Sequence, residues 1–127
     1  MKNKTKKLLL VEDEDSIIYA LTGKFDLNPK IKVLCAKNGE QGLEMTLREK
    51  PDLILLDIIL PKVNGIEMLQ KLRQDDWGKN AKVIILSNLS STDKEREASK
   101  LGVKDYIIKA DSKIDDVVKL VQKNLHI

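Results

Sequence analysis

Residues 52–61 read Asp-Leu-Ile-Leu-Leu-Asp-Ile-Ile-Leu-Pro, an apolar run with an aspartate, Asp57, directly behind it. The run 52–56 is nearly continuous in leucine and isoleucine, which is typical of a parallel strand buried on both faces. In open α/β sheets, ligands bind outside the carboxyl ends of the strands. Asp57 is therefore the first candidate for a functional residue.

This strand belongs to a regular alternation of apolar runs and amphipathic segments. The other predicted strands cover 7–11, 31–36, 82–86 and 106–108. The predicted helices cover 16–25, 40–50, 65–74, 93–101 and 112–125. Strict alternation indicates a parallel sheet with helices on both faces. We expect one α/β domain over 1–127, with residues 1–6 as a flexible extension.

Polar side chains follow the other strands as well. Glu12 and Asp13 come after the first strand, Ser87 ends the fourth, and Lys109 ends the fifth. If these strands are neighbours, three carboxylates meet, and two such charges ~4 Å apart repel by about 4 kcal/mol at an effective dielectric of 20. A divalent cation would offset this repulsion through its positive charge. Mg²⁺ suits the site because it prefers oxygen ligands and keeps coordination positions open for a phosphate.

The same residue set suits phosphoryl transfer, which depends on positioning and charge stabilisation. Asp57 can act as the nucleophile and form an acyl phosphate. Lys109 and the Ser87 hydroxyl can hold phosphoryl oxygens that the metal does not.

Four segments together carry a family resemblance over nearly the whole chain. They are Leu-Leu-Leu-Val-Glu-Asp-Glu at 8–14, the run 52–61 continuing to Asn-Gly at 64–65, Val-Ile-Ile-Leu-Ser at 83–87, and Gly-Val-Lys-Asp-Tyr-Ile-Ile-Lys at 102–109. In this order and spacing, the sequence resembles a receiver domain of two-component response regulators, similar to the chemotaxis receiver. The resemblance implies a flavodoxin-like (βα)5 fold with strand order 2-1-3-4-5.

The resemblance also implies roles for individual residues. Asp57 would be the phosphoacceptor. Asp13, Asp57 and the backbone carbonyl of Ile59 would hold Mg²⁺, and Glu12 would help directly or through water. Ser87 and Tyr106 would form a switch pair that alters the face built from the fourth helix, fifth strand and fifth helix. Tyr106 could also serve packing alone. A sensor histidine kinase or a histidine phosphotransfer protein would donate the phosphoryl group, and a downstream protein would respond.

Three positions depart from the pattern of this family. Glu12 stands where aspartate is common, Asn88 where alanine is typical, and Ala110 where proline is usual. The Lys109–Ala110 peptide bond is therefore predicted to be trans, because a cis bond before a residue other than proline costs ~2.5–4 kcal/mol.

Other functions fit less well. A haloacid-dehalogenase-like phosphatase needs an acid two residues after its nucleophile, where this chain has Ile59. A flavin or nucleotide binder needs a glycine-rich phosphate loop after the first strand, where this chain has Glu-Asp-Glu-Asp at 12–15. A receiver-like interaction module that works without phosphorylation stays open as the alternative. Within the acidic run, we expect Asp15 to cap the first helix.

Composition limits the partners and the compartment. A formal net charge of +3 is too small to indicate nucleic-acid binding, and no apolar stretch approaches the length of a membrane span. The single cysteine, Cys35, excludes an internal disulfide and suits a reducing cytoplasm. We therefore expect a cytoplasmic protein. The resemblance implies a phosphoacceptor that loses its phosphoryl group slowly, rather than an enzyme with a separate substrate.

Overall fold

The computed structural model describes residues 5–89 and 92–127, in which five strands alternate with five α-helices. The strands are β1 (Lys6–Val11), β2 (Ile31–Ala36), β3 (Leu53–Leu56), β4 (Val83–Ser87) and β5 (Asp105–Ile108). The α-helices are α1 (Asp15–Phe25), α2 (Gly39–Glu49), α3 (Gly65–Arg73), α4 (Thr92–Lys100) and α5 (Ile114–Leu125). Short 3-10 helices cover Gly78–Asn80 and Lys109–Asp111.

The sheet is parallel, with strand order β2-β1-β3-β4-β5. This confirms the predicted flavodoxin-like order. Val11 of β1 lies opposite Leu56 of β3, and the Asp57 amide donates a 3.0 Å hydrogen bond to the Val11 carbonyl. The residues that follow β1 and β3 therefore leave the sheet side by side.

Alternate residues of the central strands are buried on opposite faces of the sheet. On one face, Leu9 and Leu56 pack with residues of α3 and α4. On the other, Leu8 and Leu55 pack with residues of α1 and α5. Each fully buried leucine contributes ~1.5–3 kcal/mol of hydrophobic stabilisation. The core thus fixes both faces of the sheet and leaves its carboxyl edge for the polar residues.

The start of α3 is fitted closely against the end of β3. The Asn64 side chain caps the helix by accepting a 2.9 Å hydrogen bond from the Glu67 amide. A side-chain carbon on Gly65 would come within 2.3 Å of the Asp57 carbonyl oxygen. Glycine is therefore required where the helix passes the backbone of Asp57.

The structure differs from the predictions at several element ends. Lys6 belongs to β1, so it is not part of the predicted extension, whose residues 1–4 lie outside the described residues. The helix expected from residue 112 begins at Ile114, after the separate 3-10 turn. The prediction that Asp15 caps α1 is wrong, because Glu14 occupies the cap position and the Asp15 carboxylate lies 2.7 Å from the Lys37 ammonium.

Two expectations about the backbone and about membranes can be compared with the structure. No peptide bond of the described residues is cis, which confirms the prediction for Lys109–Ala110. None of the helices within 5–89 and 92–127 combines the length and the apolar character needed to cross a bilayer.

Candidate functional site

Three carboxylates lie together at the carboxyl edge of the sheet. Oxygen atoms of Glu12, Asp13 and Asp57 are all within 4.8 Å of one another. Glu12 and Asp57 are 1% and 4% exposed, whereas Asp13 faces solvent. One cation can reach all three groups, and hard oxygen donors are the ligands that Mg²⁺ prefers. The donor set therefore fits the predicted metal.

Lys109 neutralises part of this charge. Its ammonium lies 2.8 Å from Glu12 Oε1, 2.9 Å from Asp57 Oδ2 and 3.1 Å from Glu14 Oε1. The contacts with Asp57 and Glu14 are hydrogen bonds and the contact with Glu12 is an ion pair, so the ammonium lies among three carboxylates. Burial alone would lower the pKa of Lys109, but the bonds to Glu12 and Asp57 outweigh it and raise the pKa well above its ordinary value.

Glu12 is held in the floor of the site. Its Oε2 accepts a 3.1 Å hydrogen bond from the Glu14 amide, while its other oxygen binds Lys109. Burial raises the pKa of Glu12, and the charge of Asp57 adds to this, against the lowering effect of the bonds from Lys109 and the Glu14 amide. A cation bound here would favour the ionised carboxylate.

Asp57 is fixed through both of its oxygens. Oδ2 accepts a hydrogen bond from Lys109, and Oδ1 accepts a 3.1 Å hydrogen bond from the Ile59 amide. The Ile59 side chain is 56% exposed, although it is large and apolar. Ile59 therefore contacts the predicted site through its amide and places a bulky group on the solvent side of the loop after β3.

Ser87 and Tyr106 both bind the backbone of Leu89. The fully buried Ser87 accepts a 3.3 Å hydrogen bond at Oγ from the Leu89 amide, and the Tyr106 hydroxyl donates a 2.6 Å bond to the Leu89 carbonyl. Burial, followed by the negative charges of Glu95 and Asp57, raises the pKa of Tyr106. Among the described contacts, neither Ser87 nor Tyr106 bonds to Asp57, so the predicted switch pair meets at Leu89.

Two contacts of the site do not follow from the sequence patterns. Glu14 lies close to Lys109, whereas the acidic run predicts only metal binding and helix capping. Asn88 accepts a 3.0 Å hydrogen bond from the Ala110 amide. An acidic run longer than a metal site needs could have indicated the Glu14–Lys109 contact. The departures from the family pattern at positions 88 and 110 could have indicated the Asn88–Ala110 bond.

Two surface clefts of about 510 Å³ each lie away from this site. Both are lined by Ala81, Lys82 and Asn124, at the opposite end of β4. They contain none of the residues predicted to act in phosphoryl transfer.

Known proteins resemble this chain over its whole fold. A family model for the response regulator receiver domain matches residues 8–122. Sporulation initiation phosphotransferase F of Bacillus subtilis is 32% identical over 120 residues, which are 94% of each chain. The alkaline phosphatase synthesis transcriptional regulatory protein PhoP of the same species is 38% identical over 109 residues, 82% of this chain. The chain spans only 42% of PhoP.

Solved structures agree with this assignment. The receiver domain of the Francisella response regulator 1452 has a TM-score of 0.83 and 32% identity, covering 94% of this chain and 96% of its own. The Mn²⁺-bound form of response regulator Rcp1 has a TM-score of 0.79 and 26% identity, covering 93% of this chain and 90% of its own. Together with the strand order and the acidic edge, these matches show that the chain belongs to the response regulator receiver domain family.

Proposed function

We propose that Asp57 is the phosphoacceptor of this receiver domain. The observation that carries the proposal is the position of its carboxylate: 4% exposed, 2.9 Å from the Lys109 ammonium, and beside two further carboxylates. An Asp57 oxygen forms a bond to phosphorus as the bond from phosphorus to the imidazole nitrogen of a donor phosphohistidine breaks. The released imidazole takes up a proton from solvent.

Mg²⁺ is the proposed cofactor, held by Glu12, Asp13, Asp57 and the backbone carbonyl of Ile59. Bound there, it would offset the charge of the carboxylates and of the incoming phosphoryl group. The Mn²⁺-bound form of Rcp1 supports a divalent cation in a related domain. Asp13 is exposed and can accept the ion from solvent, whereas Glu12 lies in the floor of the site.

Lys109 and Ser87 hold the phosphoryl oxygens in this proposal. Lys109 already contacts three carboxylates, so it exchanges one carboxylate partner for a phosphoryl oxygen. Glu14, half exposed, is the partner that water most readily replaces. Among the described residues, the Ser87 Oγ accepts from the Leu89 amide and donates to no partner, so its O–H can donate to the phosphoryl group.

The switch is proposed to act through Leu89. Movement of the Ser87 hydroxyl onto the phosphoryl group changes the backbone that Tyr106 binds at 2.6 Å. The next helix, α4, buries only Ala98 among its described residues, so few apolar contacts resist its displacement. The face formed by α4, β5 and α5 is therefore proposed to report phosphorylation to a downstream protein.

The proposed partners are a sensor histidine kinase or a histidine phosphotransfer protein, and direct nucleic-acid binding is not proposed. The relative in Bacillus subtilis is a sporulation initiation phosphotransferase, which supports a place in phosphotransfer for this chain. We propose the cytoplasm as the compartment, because the free thiol of Cys35 suits a reducing environment.

Labelling with a small acyl phosphate tests the proposal. Wild-type protein should gain an acid-labile phosphoryl group with Mg²⁺ and lose that ability with a chelator. Asp57→Asn should abolish labelling, whereas Asp52→Asn, at the far end of β3, should retain it. Undiminished labelling of Asp57→Asn would refute the assignment, and absence of labelling in wild type would favour an interaction module that works without phosphorylation.

A further inference from the structure

One hydrogen bond joins the two loops that carry the phosphoryl-binding residues. Asn88 Oδ1 accepts a 3.0 Å bond from the Ala110 amide. Asn88 directly follows Ser87 at the end of β4, and Ala110 directly follows Lys109 at the end of β5. Because β4 and β5 are neighbours, the bond spans the edge of the site.

The bond satisfies a backbone group that the local turn leaves without a partner. Lys109–Asp111 forms a 3-10 turn, and the first N–H groups of such a turn have no partner within it. The residue before the turn, Ile108, provides no side-chain cap. Asn88 thus supplies, from the loop after β4, the accepting oxygen that an N-cap residue normally supplies locally.

The two residues are chemically matched to one another. An alanine at position 88 would have no accepting oxygen, and a proline at position 110 would have no N–H to donate. This chain has the acceptor at 88 and the donor at 110. Either change alone would remove the link between the loops.

We propose that Asn88 is a positioning residue for Lys109, acting through the Ala110 amide; this role rests on the proposed phosphorylation of Asp57. The bond fixes the turn at its second residue, next to the Cα of Lys109. From this turn, the Lys109 side chain extends until its ammonium lies 2.9 Å from Asp57 Oδ2. Without the bond, Lys109 remains attracted to the carboxylates, but its orientation toward the phosphoryl oxygens is less well defined.

A double-mutant cycle tests this role. Asn88→Ala should lower the maximal rate constant for phosphorylation by a small acyl phosphate by about tenfold, because orientation at the reacting group is lost. In the Ala110→Pro background, which lacks the donor, Asn88→Ala should have no further effect, whatever Ala110→Pro does by itself. Asn28→Ala is the matched control, since it removes a similar 2.9 Å bond, to the Lys30 amide, remote from the site.

Amide hydrogen exchange provides a readout that needs no phosphorylation. Ala110 should exchange faster in Asn88→Ala than in wild type, at a temperature where both proteins are fully folded. Equal Ala110 exchange, or an equal effect of Asn88→Ala on the rate in both backgrounds, would overturn the proposal while leaving Asp57 phosphorylation intact. A wild-type protein that is never labelled would refute the proposed function and, with it, this role of Asn88.

Discussion

Replacing Asp57 by asparagine should stabilise the metal-free protein, because it removes one of three neighbouring negative charges. The carboxylate oxygens lie within 4.8 Å of one another, so each repulsion costs about 3.5 kcal/mol or more at an effective dielectric of 20. The attraction between Asp57 and Lys109 at 2.9 Å is worth about 6 kcal/mol on the same scale. Removing two repulsions therefore outweighs the lost attraction by about 1 kcal/mol.

Three further effects act on this difference, one that reduces the stabilisation and two that increase it. Asp13 is exposed, so solvent weakens its share of the repulsion. Asp57 is 4% exposed, so burying its negative charge costs free energy. The neutral amide of asparagine avoids this cost, which adds to the stabilisation. The asparagine oxygen can also accept the bond from Lys109. The expected stabilisation stays near 1 kcal/mol, which corresponds to a rise of roughly 4 °C in melting temperature for a domain of this size.

Thermal unfolding with a chelator present measures this effect. Asp57→Asn should melt higher than wild type. Asp76→Asn is the control, since this exposed aspartate lies 3.8 Å from Lys79 and lines the cleft at the opposite end of β4 from the three carboxylates. Adding Mg²⁺ should raise the melting temperature of wild type more than that of Asp57→Asn. A lower melting temperature for metal-free Asp57→Asn would show that the Lys109 attraction exceeds the repulsion and would refute the reasoning.

Two further substitutions test the surroundings of the site. Ile59→Asn should speed loss of the phosphoryl group severalfold relative to Ile59→Val, because the bulky apolar side chain hinders the approach of water; equal decay rates would contradict this. Tyr106→Phe should cost about 0.5–1.5 kcal/mol in the free energy of unfolding at neutral pH through loss of the bond to Leu89. Because the folded pKa of Tyr106 is raised, its contribution is complete below its ordinary pKa of 10.0 and is lost as pH rises through the folded pKa. The difference between wild type and Tyr106→Phe, followed by denaturant unfolding, should therefore shrink above that pH, and a difference that grows would contradict the assigned shift.

The parts of this structure that follow from local pattern were predictable from the sequence. β3 is a run of buried aliphatic residues, and such a run identifies both the strand and the strand-end position of Asp57. Four motifs in order gave the strand arrangement, which places Asp13 and Lys109 at the same edge. Element ends were less certain because capping depends on which of several polar groups binds the backbone.

Long-range polar pairing was not predictable. Four acids follow β1, and the sequence does not say that Asp15 pairs with Lys37 while Glu14 pairs with Lys109. The Asn88–Ala110 bond likewise joins residues of two loops, and only the sheet register brings them together. Such contacts depend on side-chain directions that periodicity and composition do not specify.

The position of the phosphoryl group on the chain can be determined by chemical reduction and mass spectrometry. Protein treated with a small acyl phosphate and Mg²⁺ is reduced with borohydride, which converts an aspartyl phosphate to homoserine, and is then analysed by peptide fragmentation. The proposed role of Asp57 predicts homoserine at that position, with Asp52 of the same segment unchanged and no conversion when Mg²⁺ is chelated. Conversion at another carboxylate, or labelled protein with Asp57 intact, would contradict it.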